Sequence, residues 1–67
     1  MQKIGDKIVT VGGCAHYFRD GEKAVLHEVD SIGWWWADFS GNKEYYLDGI
    51  WSVGTIGDGF ELDTTGE

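Results

Sequence analysis

The chain has 67 residues, with eleven glycines, no proline and ten aromatic side chains. This length allows one small domain over residues 1–67, and aromatic residues supply the large apolar surfaces that so small a domain must bury. The net charge is −7 at pH 7, and residues 24–67 carry nine acidic side chains against a single lysine, which excludes the clustered basic residues that direct binding to nucleic acid requires.

Other sequence features set the expected cellular context. No apolar run approaches the roughly 20 residues of a membrane-spanning helix. Residues 1–6 lack the apolar core of a signal peptide. Cys14 is the single cysteine and has no internal disulfide partner. We therefore expect a reducing, cytoplasmic setting without membrane contact.

The first half of the chain predicts strands near 6–11 and 22–29. The first is rich in β-branched residues, and a glycine-bounded loop over 12–21 separates it from the second. The pair Asp20-Gly21 is typical of a hairpin turn. A helix over 23–29 is the competing interpretation, but the segment between Gly21 and Gly33 leaves it little room.

The second half predicts strands near 32–39, 43–47 and 50–53, with a closing piece near 60–62. Asp30-Ser31 makes a tight connection, residues 40–42 form a turn, and Asp48-Gly49 marks another. The tail over 63–67 is expected to fray. Together these elements predict an all-β domain, a strongly bent antiparallel sheet of five strands that closes into a small barrel and so hides its strand edges.

The spacing of these segments resembles that of SH3-like barrels of the KOW and Tudor types. The resemblance covers about residues 4–62 and is carried by Ile4-Gly5-Asp6-Lys7-Ile8, by the strands at 25–29 and 32–39, and by Tyr45-Tyr46-Leu47-Asp48-Gly49. The pattern is also similar to short phage and prophage proteins, which implies a place in the bacterial host cytoplasm. The chain departs from it at Trp34–Trp36 and in its acidic second half, which differs from nucleic-acid-binding KOW domains.

The three consecutive tryptophans, Trp34–Trp36, are the most informative feature. On a strand Trp34 and Trp36 point one way and Trp35 the other. We expect the first two to face the core and Trp35 to be exposed, because Ile32 begins their set. The alternative is that the loop or the tail covers the remaining indole.

Neighbouring strands should add further aromatic and acidic residues to this surface, since tyrosine and tryptophan are frequent in binding hot spots. The candidate binding residues are Trp34, Trp35, Trp36, Asp38, Glu44, Tyr45, Tyr46, Asp48 and Trp51. An aromatic cage for a cationic group, formed by Tyr45, Tyr46 and Trp51 with Asp38 or Asp48, is an alternative that the Tudor resemblance allows. Ordinary cross-strand packing is the simpler interpretation of the same residues.

No catalytic, metal or cofactor site is expected. Cys14, His16 and His27 are too few and too irregularly spaced for a zinc site, and they do not make a catalytic group by themselves. The glycine-rich segment 54–59 lacks the lysine of a phosphate-binding loop.

We therefore expect a non-enzymatic module that binds a protein partner, one with a basic surface, through an aromatic surface with an acidic rim. An acidic mimic of nucleic acid that inhibits a host nucleic-acid-binding protein is the alternative, and a homodimer is a further use of the same surface. Salt separates the first two, because binding by a mimic should weaken steeply as salt rises.

Overall fold

The computed structural model describes residues 2–11, 18–42 and 48–64. These residues form the strands β1 (Lys7–Thr10), β2 (Lys23–Val29), β3 (Trp35–Asp38), β4 (Ile50–Gly54) and β5 (Phe60–Leu62). The strands pair in antiparallel fashion in one sheet of order β4-β3-β2-β1-β5. The described ranges contain no helix, so the expected all-β antiparallel architecture is confirmed.

Four strands lie close to their expected positions, while β3 is shorter than the predicted strand over 32–39. The strand predicted at 43–47 lies outside the described residues. Within the described part of the chain the sheet is not closed, and β4 and β5 are its two edges. The expected closure into a barrel is therefore not seen in these residues.

The core lies on one face of the sheet and combines strand residues with Phe18 from the segment before β2. Alternation explains which side chains enter it, because successive residues of a strand point to opposite faces. In β1, Ile8 and Thr10 are buried while Lys7 is exposed. The buried apolar residues are Ile8, Phe18, Ala24, Leu26, Trp35, Ala37, Phe39, Val53 and Phe60.

The structure reverses the expected facing of the tryptophans. Trp35 is only 9% exposed and belongs to the core with Ala37 and Phe39, whereas Trp34 is 49% exposed. The expectation that Trp34 and Trp36 face inward and Trp35 outward is wrong. Asp38 shares the face of Trp34 and Trp36, so burying that set would have buried a carboxylate as well, which is costly without partners.

A hydrogen-bonded turn between β2 and β3 explains why β3 begins late. The Gly33 backbone N–H donates to the Asp30 carbonyl (3.1 Å), and the Asp30 N–H donates to the Trp34 carbonyl (2.9 Å). Gly33 has a φ of 91°, a backbone conformation that residues with a Cβ rarely adopt. This is the pattern of a type I turn followed by a glycine in a positive-φ conformation, and it takes residues 31–34 out of the strand.

Two register shifts interrupt the pairing of β3 with its neighbours. The register between β2 and β3 shifts between Leu26 and Glu28, which leaves His27 as an extra residue. A second shift occurs in the pairing of β3 with β4, between Trp35 and Trp36. Bulges generally bend a strand and increase its local twist, so these two positions are where the pairing of β3 departs from a regular ladder.

A buried threonine of β1 binds the backbone of residues just before β2. The Thr10 hydroxyl donates to the Arg19 carbonyl (2.6 Å) and accepts the Glu22 backbone N–H (3.0 Å). Thr10 is fully buried and Glu22 nearly so. Arg19 and Glu22, which precede β2, are thereby held beside the end of β1.

Candidate functional site

The face of the sheet opposite the core carries two indoles and three carboxylates at the β2–β3 hairpin. Trp34 directly precedes β3, and Trp36 and Asp38 follow at alternate positions, so all three share this outer face. Glu28 pairs directly with Trp36 across the two strands. We call this set, with Asp30 from the turn, the outer patch: Glu28, Asp30, Trp34, Trp36 and Asp38.

Asp30 organises the outer patch. Its Oδ1 accepts the backbone N–H groups of Ile32 and Trp34, both at 3.0 Å. Its Oδ2 accepts the Trp36 indole N–H at 3.1 Å. The Asp30 carboxylate thus stabilises the turn and also holds the indole N–H of Trp36 in place.

The same hydrogen bonds favour the charged form of this side chain. The indole N–H of Trp36, assisted by the backbone N–H groups of the turn, holds the pKa of Asp30 below its ordinary value of 3.8. Asp30 therefore contributes a negative charge to the outer patch throughout the neutral range.

Asp38 plays a similar part at the other end of β3. Its Oδ1 accepts the Ser40 backbone N–H at 2.8 Å, and the Asn42 N–H donates to the Phe39 carbonyl, which forms the expected turn over 40–42. Hydrogen bonds from Ser40 lower the pKa of Asp38, and the nearby His27 lowers it further. Asp38 is thus a second fixed negative charge on the same face.

Glu28 differs from the two aspartates because its side chain is 60% exposed, and among the described residues its carboxylate approaches the neighbouring His27, with 3.9 Å between His27 Nε2 and Glu28 Oε1. A contact of this length between two exposed side chains constrains the carboxylate little. Glu28 is therefore the carboxylate of the outer patch that is most available to a partner.

Basic side chains are scarce around this face. Among the residues of β1 to β4, the basic ones are Lys7, Lys23 and His27, and Lys7 pairs with Val25 on the far side of β2 from β3. Lys23 lies at the first position of β2, and its Nζ is 3.7 Å from Asp63 Oδ2. Its positive charge is therefore paired with Asp63, the residue that follows β5. The outer patch is consequently a negative surface with an aromatic centre.

Exposed aliphatic residues extend this face at both ends. Val25 and Ile50 flank Asp38 on the adjacent strands, and Ile32 at the tip of the turn is 74% exposed. Clustered exposed apolar side chains are typical of interaction sites.

The structure places the other expected site residues elsewhere. Trp35 is in the core, and Trp51 pairs with Ala37 on the core side, with its ring 6.3 Å from that of Phe18 in a T-shaped arrangement. Asp48 is exposed just before β4. The remaining candidates lie outside the described residues: Glu44, Tyr45 and Tyr46.

These positions bear on the proposed aromatic cage. Trp51 and Asp38 lie on opposite faces of the sheet, so the structure does not bring them together. Of the expected site residues, it brings together Trp34, Trp36 and Asp38.

Sequence reasoning missed two members of the outer patch, Glu28 and Asp30. A signal for Asp30 existed, because aspartate at the first position of a type I turn binds backbone N–H groups two and more residues on, and Gly33 marks the turn's end. Glu28 had no such signal, since its pairing with Trp36 depends on the bulge at His27.

The described residues offer no group of three or more side chains that could hold a metal ion. They also include no helix that is long and apolar enough to cross a bilayer. Cys14 and His16 lie outside the described residues. What the outer patch offers chemically is aromatic area beside negative charge, which suits cation–π contact and ion pairing.

Comparison of the chain with protein families, with curated protein sequences and with solved structures gave no match.

Proposed function

We propose that this protein is a non-enzymatic binding module that uses the outer patch to engage a protein partner with a basic surface. The observation that carries the proposal is the presence of two indoles, Trp34 and Trp36, beside three carboxylates on one solvent-facing side of the β2–β3 hairpin. Tryptophan is costly to leave in water and is enriched where proteins bind each other. The acidic surroundings select a partner of opposite charge.

The hydrogen bond from Trp36 to Asp30 supports this function physically. It holds one indole in place before any partner arrives, so binding costs less side-chain entropy. Trp34 stands next to it on the same face and is half exposed, which leaves area for a partner to bury.

The antiparallel meander from β1 to β4, with β5 returning beside β1, supports the further proposal of an SH3-like fold. In that arrangement the bulges at His27 and in the β3–β4 pairing bend the sheet toward closure. The similarity in spacing to short phage and prophage proteins supports a role as a phage or prophage accessory protein in the host cytoplasm.

Affinity capture with three forms of the protein tests the function. The wild-type chain, Trp34→Ala and the control Ile56→Ala are immobilised and exposed to a bacterial lysate, and the retained proteins are quantified. Ile56 is an exposed aliphatic residue outside the outer patch. We expect one partner to be retained by the wild type and by Ile56→Ala but lost with Trp34→Ala; equal retention by all three forms contradicts the proposal.

Nucleic-acid mimicry is the second candidate, favoured by the net charge of −7. A mimic presents charge and does not need exposed indoles, so Trp34→Ala would leave its binding intact. Its affinity would also fall steeply with added salt, whereas aromatic anchoring is much less sensitive.

A further inference from the structure

We propose that the outer patch recognises an arginine side chain of its partner, with Glu28 as the recognising carboxylate and Asp30 as a positioning residue. This inference rests on the proposed protein-binding function and adds the chemistry of the contact. The three carboxylates of this face differ in how far the protein itself occupies them.

Asp30 is already occupied by the protein itself. Both of its oxygens accept internal donors, two backbone N–H groups on Oδ1 and the Trp36 indole on Oδ2. Asp38 is likewise engaged by Ser40. These two carboxylates supply negative potential, but direct pairing with them would compete with bonds that hold the turns.

Glu28 has the geometry of a recognition group. It lies directly opposite Trp36 in the β2–β3 pairing, and such cross-strand neighbours have Cβ atoms about 4.5–5.5 Å apart on one face. The indole at the paired position already donates its N–H to Asp30. Trp36 therefore offers a partner its π surface rather than a hydrogen-bond donor.

Arginine fits this pair of groups better than lysine does. A guanidinium is planar and weakly hydrated, so it stacks on an indole while its edge donates two hydrogen bonds to a carboxylate. An ammonium is compact and strongly hydrated, and it loses more on leaving water. Trp34, two residues before Trp36 on the same face, adds a second aromatic surface for the neighbouring part of the partner segment.

The net charge of the chain favours a different protein, and not a second copy of this chain, as the partner. Two chains of net charge −7 would place their acidic faces against each other, and like charges across an interface oppose association. A segment that carries arginine instead neutralises the face as it binds.

Peptide titrations test the inference directly. The probes are a hexapeptide that alternates glycine and arginine, the same peptide with lysine, and the same peptide with the neutral analogue citrulline. Tryptophan fluorescence and the NMR signals of the indole N–H groups report binding. We expect affinity to fall in the order arginine, lysine, citrulline, with the arginine peptide perturbing the indole signals of Trp34 and Trp36.

Glu28→Gln provides the variant and Glu61→Gln the matched control. Glu61 is an exposed glutamate on β5, paired with Val9 at the far side of the sheet order, so both variants remove one charge. Glu28→Gln should weaken binding of the arginine peptide about three- to tenfold, whereas Glu61→Gln should leave it nearly unchanged. Circular dichroism confirms that both variants are folded.

Asp30→Asn tests the positioning role separately. Because the carboxylate receives the Trp36 indole N–H, the variant should shift that NMR signal in the free protein, and Asp38→Asn should not. Arginine-peptide affinity should fall in Asp30→Asn through the displaced indole. An unchanged indole signal contradicts the positioning role of Asp30.

Three results overturn the arginine inference: equal binding of the arginine and citrulline peptides, equal weakening by Glu28→Gln and Glu61→Gln, or no binding of the arginine peptide. If a protein partner is still captured in a Trp34-dependent way, the proposed function survives and the arginine contact alone is wrong. If capture is also independent of Trp34, both fail.

Discussion

At the scale of single residues, the roles of the three consecutive tryptophans follow from the faces of β3. Trp35 fills the core beside Ala37, which is fully buried, and Phe39. Trp36 is half-buried and tied to Asp30, and Trp34 is half exposed. Of three adjacent tryptophans, one is therefore a core residue, and the other two are the residues that we propose for binding.

Trp35→Ala should destabilise the protein by about 3–5 kcal/mol, because it removes a large core side chain and leaves a cavity. A domain of this size has little stability to spare, so most of the variant should be unfolded. Trp34→Ala should cost about 1 kcal/mol or less. Denaturant unfolding of both variants checks this, and the reverse order of stabilities would show that the faces are assigned wrongly.

The two aspartates of the outer patch make the free energy of unfolding depend on pH in the acid range. Their folded-state pKa values are lowered, chiefly by the Trp36 indole for Asp30 and by Ser40 for Asp38. The unfolded chain then binds protons more readily than the folded one. This stabilisation is fully present well above the ordinary aspartate pKa of 3.8 and is lost as pH falls through the lower folded values.

The free energy of unfolding, measured in urea from neutral pH down to below pH 3.8, should therefore fall with pH less steeply in Asp30→Asn than in the wild type. Asp58→Asn is the control, because Asp58 is an exposed residue of the β4–β5 connection. An Asp30→Asn curve with the same acid slope as the wild type would contradict the role assigned to the indole hydrogen bond.

The sequence alone could not decide which face of β3 is buried. Alternation grouped Trp34, Trp36 and Asp38 on one face, and the structure agrees. Which face is buried depended on weighing Ile32 against Asp38, and Ile32 proved to lie in the turn, outside the strand. Because Ile32 lies outside the strand, Asp38 becomes the deciding residue of this set, and its carboxylate favours the solvent-facing side of the sheet.

At the scale of elements, β1, β2, β4 and β5 were predictable because β-branched or aromatic runs are bounded by glycine-containing turns. The start of β3 was not, because the turn chemistry of Asp30 and Gly33 withdraws residues that look like strand. The bulge at His27 was also unpredictable, since register shifts depend on the partner strand. That bulge sets Glu28 opposite Trp36 and so determines half of the proposed recognition pair.

The turn between β2 and β3 should be sensitive to its glycine. A Cβ at Gly33 would meet no atom within 4 Å, but the φ of 91° strains any residue that has one. Gly33→Ala should cost about 1 kcal/mol from backbone strain alone, and Gly33→Val more, because a β-branched residue tolerates positive φ poorly. Denaturant melts give the ranking; equal stability of all three chains would argue against this turn conformation.

At the scale of the whole molecule, charge and aromatic surface act together. Under the proposed function, the excess of acidic residues in 24–67 opposes self-association, while the outer patch would give a basic partner both charge attraction and apolar contact. All-β architecture followed from the sequence because strand and turn patterns recur along its whole length. Within the described residues the sheet is open, with β4 and β5 at its edges, and its closure is part of the SH3-like proposal.

The most direct test of the central claim is the affinity of the captured partner for purified wild type, Trp34→Ala and Ile56→Ala, measured side by side by calorimetry at low and at high salt. Trp34→Ala should weaken binding about tenfold or more at both salt concentrations, as expected for loss of an interface tryptophan worth about 1.4 kcal/mol or more. Ile56→Ala should bind like the wild type. Equal affinities for all three proteins, with binding that disappears at high salt, would contradict the account and favour mimicry of nucleic acid.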